Sequence, residues 1–279
     1  MLDIFSWFTL PLESWVEDGV DWLVVNYRFI FQAIKWPIDK VLMGIRDFLL
    51  WVHPLIVIAG MVALAWRYAS RGVAVFTLVA LLLLGYTGVW EEAMITLSMI
   101  LASVIFCIVV GIPLGILLSQ SDRAAGVIRP VLDIMQSTPA FVYLVPVVML
   151  FSIGTVAGVI ATIVFAIPPT IKLTNLGIRQ VHPELIEAGL ACGATQKQIL
   201  LRIQLPLAKQ TIMAGLNQTI MLSLAMVVIA SLIGAGGLGV LVFEGVNSMR
   251  VGLAVIGGLG IVLIAIVLDR ITQSMAGQK

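Results

Sequence analysis

The chain has 279 residues, 61% of them hydrophobic and 11% charged, with a mean hydropathy of +1.11. A soluble domain cannot keep that much apolar surface away from water, so the composition is that of an integral membrane protein. The formal net charge of +1, carried at segment ends, excludes a basic nucleic-acid surface. The two cysteines, Cys107 in an apolar run and Cys192 in a polar stretch, do not make a disulfide framework.

Residues 1–53 differ from the rest. Asp3, Glu13, Glu17, Asp18, Asp21, Asp39 and Asp47 outnumber four basic residues, and tryptophans recur at 7, 15, 22, 36 and 51. The start Met1-Leu2-Asp3-Ile4-Phe5 has no basic region or small-residue cleavage site, so no removable signal peptide is expected. Glu17, Asp21, Arg28, Gln32 and Lys35 fall at helical spacing opposite Val20, Leu23, Val24, Phe31 and Ile34. Such a helix is suited to the membrane interface. The rival is an eighth span over 20–34, which would set Arg28 in mid-membrane at a cost of about 2.5–3.5 kcal/mol.

Seven apolar runs approach the roughly 20 residues that cross a bilayer as helix: 54–70, 72–89, 93–118, 138–153, 155–178, 208–232 and 251–268. The first and fourth are short or flanked by helix breakers, so the expected count is seven within a range of 6–8. The organisation expected is an interfacial segment over 1–53, peripheral spans over 54–90, a core over 91–271 and a tail over 272–279. Breakers recur in the core: Gly111-Ile112-Pro113 with Gly115, Pro139 and Pro146, and Pro168-Pro169. Each is readable as a packing kink. Together they point to helices facing one another or a water-filled path.

Between the fifth and sixth spans, residues 181–206 form a polar island. His182-Pro183 opens a helix with Pro183 in its first turn, Glu184 and Glu187 lie toward its positive end, and Gly193 stops it. Thr195 and Gln198 make a capping-box pair for a second helix, expected to end before Leu205-Pro206. Leu185, Ile186, Ala188, Leu190 and Ala191 leave the first helix with an apolar surface that needs a cover. Any one of these positions alone fits an ordinary turn with a glycine cap and a solvated Glu187.

The joint spacing resembles the coupling loop of ABC importer permeases: Glu187-Ala188, then Gly193, Ile203 and Leu205-Pro206, with Gly189 where that pattern has a second alanine. Arg129-Pro130-Val131-Leu132-Asp133-Ile134-Met135-Gln136-Ser137-Thr138-Pro139-Ala140-Phe141-Val142-Tyr143-Leu144-Val145-Pro146 is similar to the equivalent stretch of glycine betaine/proline-type osmoprotectant importer permeases. So are 165–171, 204–208, 217–219 and 226–230, and the resemblance covers about residues 91–271. It implies an all-α permease of the type I importer fold, acting as a homodimer, with a separate ABC ATPase that holds ATP and magnesium and an external solute-binding protein. It also implies that Glu187, Ala188, Gly189, Gly193, Ile203, Leu205 and Pro206 contact the ATPase, and that the solute is glycine betaine, proline betaine, choline or proline. Nothing in the chain places aromatics in the cage that a quaternary ammonium needs, so primary selectivity is assigned to the binding protein.

With the loop in the cytoplasm, alternation of the spans puts Arg67, Arg71, Arg123, Arg129, Lys172, Arg179, Lys197, Arg202, Lys209, Arg270 and Lys279 inside. Only Arg28, Lys35, Lys40, Arg46 and Arg250 fall outside, which gives an external N-terminus and an internal C-terminus in a bacterial inner membrane. Thr138, Tyr143, Asn217, Gln218, Thr219 and Ser223 are polar groups in or beside spans, readable as path lining or as interhelical hydrogen bonds. Gly234-Ala235-Gly236-Gly237-Leu238-Gly239 matches a dinucleotide fingerprint in letters only, since it follows a membrane helix and opens no βαβ unit; it is read as a tight turn or close helix contact, with Glu244 beside it. No phosphate-binding loop occurs, so no nucleotide hydrolysis and no cofactor or metal is expected in this chain. His53 and His182 have no metal-ligand spacing, and Ser137 and Ser223 have no base at a recognisable offset. Carboxylates are nearly absent from span interiors, with Asp133 before its span and Asp269 ending the last, which argues against the ion-gradient carrier. A permease of this architecture for another small solute, such as an amino acid, remains the nearer alternative.

Overall fold

The computed structural model describes residues 11–275. Asp3, Trp7, the segment Met1–Phe5 and the end of the tail with Lys279 lie outside the described residues. Among the described residues twelve α-helices succeed one another: α1 (Leu12–Trp51), α2 (Pro54–Tyr68), α3 (Arg71–Tyr86), α4 (Trp90–Gln120), α5 (Asp122–Ser137), α6 (Leu144–Phe151), α7 (Thr155–Arg179), α8 (Pro183–Ala191), α9 (Gln196–Ile199), α10 (Leu205–Ala230), α11 (Leu238–Asn247) and α12 (Val251–Met275). Among the described residues there is no strand.

Helix occupies each of the seven expected runs. Four rods are long and apolar enough to cross a membrane alone: α4, α7, the rod Gln196–Ile233 and α12. The others are shorter. The fourth run is a 3-10 turn (Ala140–Tyr143) followed by α6, set at 108° to α5 across the Thr138-Pro139 break. The amphipathic first region is one long helix with non-helical dihedrals at Tyr27, and it meets α2 at 108°. Its second half packs on the core through Ile38, Leu42 and Leu49. There Phe31 meets Phe151 edge-on at 5.7 Å, and Lys35 Nζ donates to the Phe151 carbonyl at 3.0 Å, serving a carbonyl that the end of α6 leaves without a helical partner.

The middle of the molecule is α7 between α4 and α10, brought close by small residues. Gly111 and Gly115 form a G-x-x-x-G pair on α4: a Cβ at Gly115 would stand 2.5 Å from Thr174 Cβ and 2.8 Å from the Ile171 carbonyl oxygen. On the other flank Gly215 of α10 lies against Leu173 and the Pro169 carbonyl. The helices run through Pro113 and Pro168-Pro169 without ending. Neighbouring helices bury the Pro168-Pro169 break, whereas Pro113 is exposed on α4.

Two basic residues tie the loop-bearing end together. Arg179 donates to Asn175 Oδ1 at 2.9 Å, to Asp122 Oδ1 at 2.6 Å and to the Leu118 carbonyl at 2.7 Å, joining the ends of α7 and α4 to the start of α5. Lys172 donates to Asp133 Oδ1 at 2.5 Å and to Gln136 Oε1, fastening α5 along α7. At the far end, Gly234, Gly236 and Gly237 all have positive φ and form the expected tight turn. The close contact is present too, because Leu238 N donates to the buried Thr96 Oγ1 at 2.8 Å, where Gly237 has no room for a side chain. Beyond that turn the chain forms a short helix: α11 folds back on α12, Gly245 against Ala254, with Glu244 on its exposed side.

Candidate functional site

The polar island folds from its own residues. Pro183 takes a first-turn position of α8, where a missing N–H costs nothing, and Glu184 lies in that turn. Beyond Ala191 the backbone closes a Schellman motif about Gly193, whose φ is +80°: Gly193 N donates to the Leu190 carbonyl at 2.9 Å and Ala194 N to the Gly189 carbonyl at 3.0 Å. Thr195 and Gln198 then form the expected capping box, Thr195 N reaching Gln198 Oε1 at 2.8 Å and Gln198 N reaching Thr195 Oγ1 at 3.4 Å.

One expectation is corrected by the structure. The second helix does not end before Leu205-Pro206. It passes from α9 through a π turn (Leu200–Gln204), where Leu205 N bonds the Leu200 carbonyl five residues back, and continues as α10. A proline breaks a regular helix because it lacks the N–H and its ring strikes the carbonyl four residues earlier. The wider π turn directly before Pro206 gives room for both defects, so the rod continues.

Two of the motif residues, Gly189 and Ile203, meet in space. Gly189, the position that departs from the resembling pattern, lies over Ile203 and Ile199: an added Cβ would stand 2.8 Å from Ile203 Cδ1 and 3.6 Å from Ile199 Cγ1. Ile199 is only 1% exposed, whereas Glu187 and Ala188 face outward together with Leu185, Leu190 and Leu201. The loop is therefore seated on one side and presents leucines and a carboxylate on the other. A cleft of about 570 Å³ opens beside it, lined by Ser119 and Gln120 of α4, Ile178 of α7, and Gln196, Lys197 and Gln204. Cys192, at the end of α8, is exposed and far in environment from the buried Cys107.

The six polar span residues do not converge on one cavity. Tyr143 OH donates to the Met135 carbonyl at 2.6 Å and Thr138 Oγ1 to the Ile134 carbonyl at 2.8 Å, so both tie the α5–α6 break. Thr219 is buried, bonded to the Ala166 carbonyl at 2.9 Å and paired with Thr170 Oγ1 at 2.7 Å; Ser223 is buried on the Thr219 carbonyl at 2.8 Å. Asn217 Nδ2 donates to Asp269 Oδ1 at 3.0 Å, and Gln273 donates to the same oxygen at 2.7 Å. Asp269 is thus an internal partner on α12, six residues short of its end, rather than a terminal charge. Gln218 alone of the six is exposed. Among the described residues no three His, Cys, Asp or Glu side chains come together as a metal site.

Arg179, Lys172 and the π turn are functional-end features that sequence spacing did not single out. A basic residue at the end of an apolar run reads equally as a topology signal.

Known proteins agree with this architecture. Residues 107–276 match the family model described as binding-protein-dependent transport system inner membrane component. The chain is 52% identical to the glycine betaine/proline betaine transport system permease protein ProW of Escherichia coli (strain K12), over 99% of this chain and 78% of that protein. It is 45% identical to the glycine betaine transport system permease protein OpuAB of Bacillus subtilis (strain 168), over 97% of this chain and 96% of that protein. Among solved structures, an inward-facing conformation of the MetNI methionine ABC transporter superposes with a TM-score of 0.55 at 26% identity, covering 66% of this chain and 90% of that one. With the helical core, the capped loop and these matches in hand, the chain belongs to the binding-protein-dependent transport system inner membrane component family, as a permease of the type I ABC importer fold.

Proposed function

We propose that this permease is the membrane subunit of an ATP-driven importer for glycine betaine, proline betaine and related compatible solutes, working as a homodimer. The named activities of its relatives at 52% and 45% identity support the solute class. The observation that carries the coupling role is the seated loop: a helix fixed by its own caps, with leucines and Glu187 turned outward and nothing among the described residues to cover them. Glu187, Ala188, Gly189, Gly193, Ile203, Leu205 and Pro206 form the element that a separate ATPase engages, and ATP and magnesium belong to that subunit. ATPase closure draws the two loops of the dimer together and opens the path outward to a solute-binding protein.

The loop then lies in the cytoplasm, with the N-terminus outside and the C-terminus inside. The 108° angle between α1 and α2 supports α1 lying in the outer interface against lipid, because a helix near-perpendicular to a spanning one runs close to the membrane plane. Gln218, Thr138, Tyr143 and Asn217 are the lining candidates with accessible surface, Asn217 also tying α10 to α12; Thr219 acts behind them by joining α10 to α7, and Ser223 is satisfied within α10. The permease, its ATPase and its binding protein reconstituted in vesicles should take up radiolabelled glycine betaine only with ATP inside. Uptake that is undiminished when the ATPase is left out overturns the proposal.

A further inference from the structure

We propose that the π turn Leu200–Gln204 is a register element for coupling: it absorbs one residue before Pro206 and so sets the rotational position of the loop about α10. The proposal rests on the coupling role given above to residues 187–206. In a regular α-helix each residue advances about 100°, so Ile199, nine residues before Ala208, would stand about 180° from it. Ala208 is fixed, being buried against Gly177 of α7. A widened turn that takes up one extra residue brings Ile199 back by about 100°. That rotation lets Ile199 be buried at 1% exposure and Ile203 meet Gly189 of α8, so the outward face of α8 is set relative to α10.

The pattern of the motif then has a mechanical reading. Pro206 disfavours the regular turn, Ile203 is a contact by which α8 bears on the rod, and a bulky side chain at 189 would displace the Ile203 methyl that lies against it. Movement imposed on α8 reaches α10, and with it the Asn217–Asp269 and Thr219–Thr170 contacts, through a rod of fixed rotation instead of a hinge.

Two rescue pairs test this in the complete transporter, read as glycine betaine taken up per ATP hydrolysed. Deleting Leu201 forces a regular turn onto Pro206 and should lower the ratio at least fivefold; adding Pro206→Ala to that deletion should bring it back to within twofold of the parent. Gly189→Leu should likewise lower the ratio at least fivefold by displacing Ile203, with Ile203→Ala in the same chain restoring it. The second pair involves no deletion and remains informative if the first does not assemble. Single variants that stay coupled, or doubles no better than the singles, overturn the register role. Gly193→Pro, run alongside, separates the two ideas: if it transports normally, the coupling role of the loop itself fails, whereas an uncoupled Gly193→Pro with no rescue in either pair removes only the register.

Discussion

Helices α7 and α8 are separated by three residues, yet 17 of the 25 residues of α7 are buried and none of the nine of α8. The first is held by neighbours in its own chain through glycines, threonines and prolines that let backbones approach. The second is held by local chemistry: a proline start, a glycine stop and the close approach of Gly189 to Ile203 and Ile199. An order of that kind fixes shape without burying area, so α8 is built as a surface to be covered, while α7 is complete within the fold.

The largest break in this contrast is expected at Gly115. Leucine there must fit where even a Cβ would be 2.5 Å from Thr174 and 2.8 Å from a backbone carbonyl, and backbone cannot yield as a side-chain tip can. Overpacking of this kind costs about 1–3 kcal/mol or more. Gly115→Leu should therefore abolish recovery of a monodisperse permease on size exclusion in detergent, whether or not the ATPase is co-expressed. The same substitution at Gly126, which has open space around it on α5, should be recovered at near-parent yield.

The contrast also explains what could be read in advance. Hydropathy located the long apolar helices, because a lipid-facing or buried helix must be apolar over its length, and the loop was legible because Pro183, Gly193, Thr195 and Gln198 act on their immediate neighbours. Features that depend on what lies across the fold were not legible. Leu238–Asn247 is too short to span and passes for a loop until α12 is there to receive it. Pro206 reads as a stop because the π turn that accommodates it leaves no mark in composition. Asp269 reads as a helix-end charge until Asn217 is found opposite it. A hydroxyl in a span, such as Thr219 or Ser223, has the same letter whether it faces water or a neighbouring carbonyl.

On the loop side, a substitution should spare the fold and break only the work. Gly193→Pro asks a ring fixed near −65° to adopt a φ of +80° and removes the N–H bonded to Leu190, so the α8–α9 turn cannot close. Assembly in the membrane should match the parent by size exclusion, with glycine betaine uptake per ATP down at least tenfold. Glu187→Arg reverses a charge on the exposed face without touching a cap, and should weaken capture of the ATPase in pull-down while leaving α8 intact. If both variants transport as the parent does, α8 is an ordinary turn.

The smallest effect sharpens the α7 side. Thr219 has one proton, and if it is given to the Ala166 carbonyl then Thr170 is the donor in the hydroxyl pair between α7 and α10. Thr219→Val loses both bonds, but the Thr170 hydroxyl can turn to the Ala166 carbonyl four residues back in its own helix, as threonines in helices do. Thr170→Val loses only one, since Thr219 keeps its carbonyl. Each single keeps one bond, but the one left in Thr219→Val lies within α7 while the one left in Thr170→Val still joins α10 to α7, so Thr219→Val should be the less stable, and the double-mutant cycle should give a coupling of about 0.6 kcal/mol, below the ~1.7 kcal/mol upper end for interhelical bonds in membranes. Reversible unfolding in mixed micelles measures it. A coupling near zero would mean that the glycine contacts alone hold α10 on α7.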